Sequence, residues 1–430
     1  MLKKNSVLKN ASWIIVCKIV QSMMNLIISM ISARYLGPSN YGIISYAASI
    51  VAFVVPIVQL GLRNTLVQEI VAEPDKSGET LGTALMMSVI ASILGVIGVI
   101  SFVSIVNRNE VDTIIVCALY SVSLFFQMLE MIQYWFQAQL LSKYTSLTSL
   151  VAYIIVSLYK IYILFTGKNI YWFAVTNSLD YLLIAIILIV VYKKISKQKF
   201  SFSIRRAKLL FAHSKYYIVS GMMVTIFANT DRIMIKLMVN DVASGYYSAA
   251  ANCAGVTSFV FYAIIDSFRP IIFDSKKNNQ RIFEEKLTML YSIVIYMGLM
   301  QSLVLCIGAK VVIEILYGNS YADAAQILRI ITWYSSFSYM GSVRNIWILA
   351  EKQQSVLWII NLSGALLNVI GNFILIPLYG ARGAAIASVA TQFFTNFVLC
   401  FVITPIYPVS KLILSAFDFR NIKLFFDREK

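Results

Sequence analysis

The sequence predicts an all-α polytopic membrane protein, with twelve transmembrane helices in two six-helix bundles related by a parallel pseudo-repeat around a central cationic cavity. Three observations predict it. Across 430 residues, 59% are hydrophobic and only 13% charged, with a mean hydropathy of +0.76; soluble domains run near ~45–50% apolar and ~25% charged. Apolar stretches long enough to cross a bilayer, roughly 20 residues each, recur along the whole chain with short connections. Finally, the stretch Gly42-Ile-Ile-Ser-Tyr-Ala-Ala returns as Gly245-Tyr-Tyr-Ser-Ala-Ala-Ala, 203 residues on, at the same place in the second half.

The first span, 11–33, carries Lys18, Gln21 and Asn25 on one helical face, since they recur at intervals of three and four. "RYLGPSNYG" (residues 34–42) then breaks the apolar run. Gly37-Pro38 ends one helix, and Asn40 is the expected cap of the next. Span two, 41–67, puts Pro56, Gln59 and Arg63 on one stripe, with a kink expected at Pro56. Span three, 81–106, is apolar. Span four, 113–138, repeats the polar stripe with Gln127, Glu130, Tyr134 and Gln137. Span five, 144–165, sets Lys160 between Tyr159 and Tyr162, and span six, 171–192, contains Asp180.

"KKISKQKFSFSIRRAK" opens a basic connection, 193–215, read as a cytoplasmic linker with an amphipathic segment. Span seven, 216–239, holds Thr225, Asn229, Asp231, Arg232 and Lys236. Span eight, 243–269, holds Asn252, Tyr262, Asp266 and Arg269, with Asp266 and Arg269 spaced to neutralise each other. The remaining spans are 287–307, 322–350 (with Arg329 and Arg344 near enough to its ends to snorkel), 356–378 and 380–407. The domain layout is therefore 1–192, a linker 193–215, 216–407 and a cytoplasmic tail 408–430.

Charge sets the orientation. The net charge of +16 arises from 36 Lys and Arg against 20 Asp and Glu. With the N-terminus inside, outer loops hold only Arg34, Arg108, Lys168, Lys310 and Arg382, so both termini are expected on the cytoplasmic side. A nucleic-acid role is disfavoured because these cations lie on one membrane surface.

Polar residues inside spans are costly and mark function. Stripes on several helices predict a water-filled interior. Lys18, Arg63, Arg232, Lys236 and Arg269 are the candidate ligands of an anionic substrate, because surplus Lys and Arg suit phosphate. Gln21, Asn25, Gln59, Gln127, Glu130, Gln137, Asn229 and Tyr262 are the expected polar lining, and Glu130, Asp180 and Asp231 the candidate ion-coupling acids. No phosphate-binding G-x-x-x-x-G-K-[ST] loop occurs, His213 is the sole histidine, and no metal-ligand spacing is present, so neither cofactor nor metal is expected. The five cysteines are isolated and read as packing residues.

"ARYLGPSNYGIISYA", "TDRIMIKLMVNDVASGYYSAA", "LYGNSYADAAQILRI" and "NFILIPLYGARGAAIASVATQ" resemble, in that order, blocks of the polysaccharide repeat-unit (O-antigen type, Wzx-like) flippases of the multidrug/oligosaccharidyl-lipid/polysaccharide exporter superfamily. The resemblance implies a transporter of undecaprenyl-diphosphate-linked oligosaccharide, working between the leaflets of a bacterial cytoplasmic membrane. Its further partners would be membrane lipids, a polysaccharide polymerase and chain-length proteins. It also implies that cations on helices one, two and eight, here Lys18, Arg63 and Arg269, hold the diphosphate. Two alternatives stay open: a cation-coupled multidrug exporter of the same superfamily, and a membrane glycosyltransferase or polymerase.

Overall fold

The computed structural model describes residues 4–196 and 198–418, with side chains left undescribed at 4–16, 18 and 278. Helices make up nearly all of it. Nine of them, among the described residues, are long and apolar enough to cross a membrane; a tenth is the pair Asp241–Ala254 and Ser258–Lys277, bent by 42°. The chain is a multi-pass membrane protein, and it divides into two compact units.

The first unit takes residues up to 36 and from 43 to 229. Helix α1, Lys4–Val58, is 55 residues long, about 80 Å at 1.5 Å per residue, against a hydrocarbon core of ~30 Å. It is two helices joined at Gly37, whose φ of 71° and ψ of 169° leave the helical region. Pro38 restarts the helix, a position where its missing N–H costs nothing. The break thus falls at Gly37, and Asn40, the expected cap, lies inside the restarted helix. Pro56 does not interrupt α1 in its middle; it sits in the last turn, and left-handed Leu60 and Gly61 then separate α1 from the helix that starts at Leu62.

Helices α2 (Leu62–Ala72), α3 (Ser77–Val106), α4 (Val111–Ser121), α5 (Ser123–Gln127), α6 (Ile132–Ala138), α7 (Ser142–Phe165), α8 (Ile170–Ile195) and α9 (Ile204–Met238) complete this unit up to Asn229. Its core joins Leu62, Leu66 and Ile70 of α2 to Trp135, Tyr192 and Leu210. Trp135 meets Tyr192 edge-on at 5.0 Å and donates its indole N–H to Ser77 at 3.3 Å. Such pairs add about 0.5–1.5 kcal/mol beyond the area they bury.

The basic connection expected at 193–215 is helical at both ends. α8 carries Lys193 and Lys194 in its last turn, where cations complement the helix dipole, and α9 begins at Ile204. Between them Gln198 clamps the chain to the start of α3: its Oε1 accepts from Ser77 Oγ at 2.8 Å and Gly78 N at 2.6 Å, while its Nε2 donates to Pro74 O at 2.9 Å. Arg206 of α9 then grips α2, bonding Glu73 at 2.9 Å and Glu69 at 3.3 Å. The hydrogen bond from Arg206, helped by one from Lys76, pulls the Glu73 carboxyl down to about 2.

The second unit takes residues 37–42 and 230 onward. It contains the end of α9 and helices α10 (Asp241–Ala254), α11 (Ser258–Asn278), α12 (Gln280–Tyr317), α13 (Ala324–Ala350), α14 (Val356–Tyr379), α15 (Ala381–Phe393), α16 (Leu399–Val402) and α17 (Pro408–Ala416). α13 is central, packing against α10, α12 and α15. Phe261 stacks on Tyr339 at 4.0 Å, within a core that also takes Tyr291 and Trp347. Asn240 caps α10 by accepting from Ala243 N at 2.8 Å.

The two echoed corners touch each other. A Cβ on Gly42 would collide with the backbone of Asp241, and a Cβ on Gly245 with the backbone of Pro38. Shifted by 203 residues, Gly42 becomes Gly245 and Pro38 becomes Asp241, so the contact is reciprocal, as a two-fold relation between the copies requires. Tyr41 adds a bond, its hydroxyl accepting from Asn252 Nδ2 at 2.7 Å.

Candidate functional site

In the first unit, Gln59, Gln127, Glu130 and Asn229 line one cavity of about 460 Å³. Four elements supply them: the end of α1, the α5–α6 region, and α9, with α8 adding Asn177 and Tyr181. Tyr120 of α4 and Thr225 add to the polar lining, and among the described residues no Lys or Arg takes part in it. Helical spacing explains the convergence. Gln127 lies three residues before Glu130, and Thr225 four before Asn229, so each pair points one way. Local back-bonds brace the walls: Gln127 donates to Ser123 Oγ at 3.2 Å, and Asn229 to the Thr225 carbonyl at 3.1 Å. Pro56 also lines the cavity, with Gly221 tucked against its ring.

Asp180 lies one residue before Tyr181 on α8. Lys160 of α7 and Glu130 both feel its charge, and its Oδ1 is buried with no hydrogen-bond partner among the described residues. The other expected residues of this unit lie apart from the cavity lining. Asn25 accepts from the Tyr153 hydroxyl at 3.0 Å, Gln21 is half-buried, Gln137 is exposed, and Arg63 is exposed at the start of α2. The side chain of Lys18 lies outside the described residues.

In the second unit Asp231 is 5% exposed and surrounded by donors. Asn368 reaches it at 3.1 Å and Asn372 at 2.6 Å from α14, while Tyr247 of α10 and Ser388 of α15 donate their hydroxyls. A buried carboxylate without partners would cost several kcal/mol, and these four bonds offset that cost. The Asn372 carbonyl oxygen, also buried, has no partner among the described residues. Such a nest of oxygens and amides is suited to exchanging a proton or a small cation.

The cations of this unit are engaged. Lys236 forms a buried ion pair with Asp241, and Arg269 pairs with Asp266 at 3.1 Å, as their spacing predicts. Arg232 is half-buried one residue beyond Asp231, and Tyr262 is 44% exposed, its ring edge-on to Tyr339. Arg344, expected to snorkel, is instead 4% exposed. Its Nη1 donates to the Thr395 carbonyl at 2.6 Å, which the π-helical turn Phe394–Val398 presents to it.

Several of these residues escaped the sequence reading. Asn368 and Asn372 stand four apart in an otherwise apolar span, and Asn177 with Tyr181 repeats that interval. The periodicity used on spans one, two, four, seven and eight marks them equally well. Tyr247 and Ser388 carry no such signal, because small residues and tyrosines surround them.

Membrane-crossing helices built around buried acids and amides define an all-helical multi-pass membrane protein. The same fold occurs in the lipid II flippase MurJ, in an inward closed conformation, at a TM-score of 0.71 and 16% identity over 94% of this chain and 90% of that one. It also occurs in the inward-facing conformation of a multidrug resistance MATE family transporter of the MOP superfamily, at a TM-score of 0.67 and 14% identity over 91% of this chain and 95% of that one. At these identities the likeness is one of fold.

The chain itself belongs to the polysaccharide biosynthesis protein family, whose pattern matches residues 7–276. The capsular polysaccharide biosynthesis protein CapF of Staphylococcus aureus is 22% identical over 391 residues, 90% of this chain and 96% of CapF. An uncharacterized membrane protein of Methanocaldococcus jannaschii is 24% identical over 271 residues, which cover 60% of this chain and about half of that relative, 52%.

Proposed function

We propose that the protein is a flippase that carries an undecaprenyl-diphosphate-linked oligosaccharide repeat unit from the inner to the outer leaflet of a bacterial cytoplasmic membrane, for assembly of a surface polysaccharide such as capsule, exopolysaccharide or O-antigen. The observation that carries this reading is the cavity lined by Gln59, Gln127, Glu130, Asn177 and Asn229 inside a unit of apolar helices. A sugar cannot cross hydrocarbon without losing its hydrogen bonds, at several kcal/mol for each unsatisfied group. Amides and a carboxylate replace them. Family membership supplies the polysaccharide context.

The proposed layout has twelve crossings in two pseudo-repeated halves, 1–192 and 216–407, with both termini in the cytoplasm. Nine apolar helices become twelve when Ile19–Ala72 is divided at Gly37, the bent pair is counted as one, and the 27-residue α13 is added. Lys18, Arg63, Arg232, Lys236 and Arg269 are the proposed ligands of the diphosphate. Lys236 and Arg269 would join only by exchanging their carboxylate partners. Asp231, Asp180 and Glu130 are the proposed coupling acids.

A second reading, a cation-coupled multidrug exporter, is favoured by one observation: among the described residues the cavity presents Glu130 and no cation. Complementation separates the two. In a strain deleted for the gene, the wild-type chain restores surface polysaccharide and clears lipid-linked repeat units from the inner leaflet, while Glu130→Gln and Asp231→Asn restore less. Drug resistance conferred without polysaccharide rescue would instead select the exporter.

A further inference from the structure

We infer that a groove on the first unit, between the end of α1 and α3, seats the polyprenyl chain of a polyprenyl diphosphate before transport begins, with Lys208 and Lys215 of α9 receiving its phosphates at this first docking step, ahead of the cations assigned to it during transport; this rests on the flippase reading. The groove has a volume of about 550 Å³, and every lining residue is apolar. Ile57 and Leu60 line it from the end of α1, Ile90 and Leu94 from α3, and Phe211 from α9. Along α3 it runs from Met87 to Gly98, roughly 16 Å of helix. That is room for several isoprene units in line.

Two details suggest a seat for a ligand over chance roughness. Leu60 adopts a left-handed conformation, φ 50°, beside left-handed Gly61. A leucine is strained there and a glycine would not be, so the chain accepts strain at a position whose side chain lines the groove. Gly98 sits in the middle of α3, where glycine is the poorest helix former after proline. A Cβ there would meet nothing within 4 Å, so no packing demands a glycine. Gly95, one turn earlier, differs: its Cβ would press on Val54 at 2.8 Å and Val58 at 3.0 Å. One glycine lets helices touch, and the other keeps the groove open.

Charge identifies the occupant. Lys208, Phe211 and Lys215 recur at three and four residues on α9, and all three are exposed. Phe211, which lines the groove, is therefore flanked by two cations on one face of α9. A tail in the groove with its phosphates at that face satisfies both. Two lysines match a diphosphate better than the single charge of an ordinary phosphodiester lipid.

The test uses the full chain in nanodiscs of phosphatidylcholine, with three diazirine-bearing probes: a polyprenyl diphosphate, a polyprenol without phosphate, and phosphatidylglycerol. The polyprenyl diphosphate probe is expected to label peptides covering 54–60 and 87–98, and excess phosphatidylglycerol should not displace it. Gly98→Leu, which fills open space, should cut that labelling about tenfold or more without lowering the melting temperature. Gly95→Leu should lower the melting temperature instead. Lys208→Gln with Lys215→Gln should weaken labelling by the diphosphate roughly tenfold and leave the polyprenol unaffected. Labelling that survives Gly98→Leu, or that phosphatidylglycerol displaces equally, overturns the assignment. Rescue of surface polysaccharide by the wild-type chain is scored separately, so loss of the groove and loss of the flippase reading are distinguishable.

Discussion

Asp231 and Asp180 are both acids inside apolar helices, and the protein treats them in opposite ways. Asp231 is enclosed by Tyr247, Asn368, Asn372 and Ser388, drawn from three other helices. Among the described residues, Asp180 has Lys160 as the cation within its field and a buried oxygen, Oδ1, without a hydrogen-bond partner. The first acid organises its surroundings, since four side chains are oriented by it. The second meets, among the described residues, one cation and leaves one oxygen unbonded, so a change of partner costs it less. A change of state at Asp180 therefore disturbs few described partners, whereas a change of state at Asp231 also rearranges the three helices that bond it.

The comparison is broken most directly by truncation. Asp231→Ala removes the acceptor that four donors share, leaving Tyr247, Asn368 and Asn372 only their longer bonds within the cluster, and is expected to cost about 3 kcal/mol or more, read as a lower unfolding midpoint in detergent. If Asp180→Ala costs as much, the contrast is void. Next in size, Asn372→Leu removes one donor and leaves the carboxylate buried, for an expected loss of about 1–3 kcal/mol. A loss confined to transport, with an unchanged midpoint, would move Asp231 into the same class as Asp180.

Asp180→Asn should change the midpoint by less than about 1 kcal/mol and yet reduce polysaccharide rescue. Lys160→Met made together with it should be less harmful than the two changes added, because neither charge is then left alone. Strict additivity would show that the two residues do not act on each other.

The smallest effect is expected at the membrane surface. Glu73, side chain 41% exposed, has its carboxyl drawn from 4.5 to about 2 by Arg206 and Lys76. Because the folded state binds that proton less readily than the unfolded chain does, the contribution is complete above pH 4.5 and disappears as pH falls toward 2. Melting curves of wild type and Glu73→Gln should therefore differ slightly at neutral pH and converge in acid. A difference that persists below that range would mean that Glu73 acts through packing.

The helical membrane class was legible in hydropathy, and the break at Gly37-Pro38 was legible in two residues with fixed backbone preferences. Gln59, Gln127, Glu130 and Asn229 were legible as stripes and do line one cavity. Periodicity assigns a face to a residue, but not a partner. For that reason the donors of Asp231 went unread: they come from helices more than a hundred residues away, apart from Tyr247. Arg344 was misplaced for a related reason. Its nearness to a span end suggested the interface, and the carbonyl offered by a π-helical turn has no signature in sequence.

The reciprocal corners carry a consequence for descent. If the two halves arose from one ancestral segment, nearly every pair of matched positions has been free to drift, and little beyond a short motif still matches. Gly42 and Gly245 form a locked pair: neither can gain a side chain unless the other copy's backbone retreats. The oldest trace of duplication would then survive where each copy is the other's steric boundary.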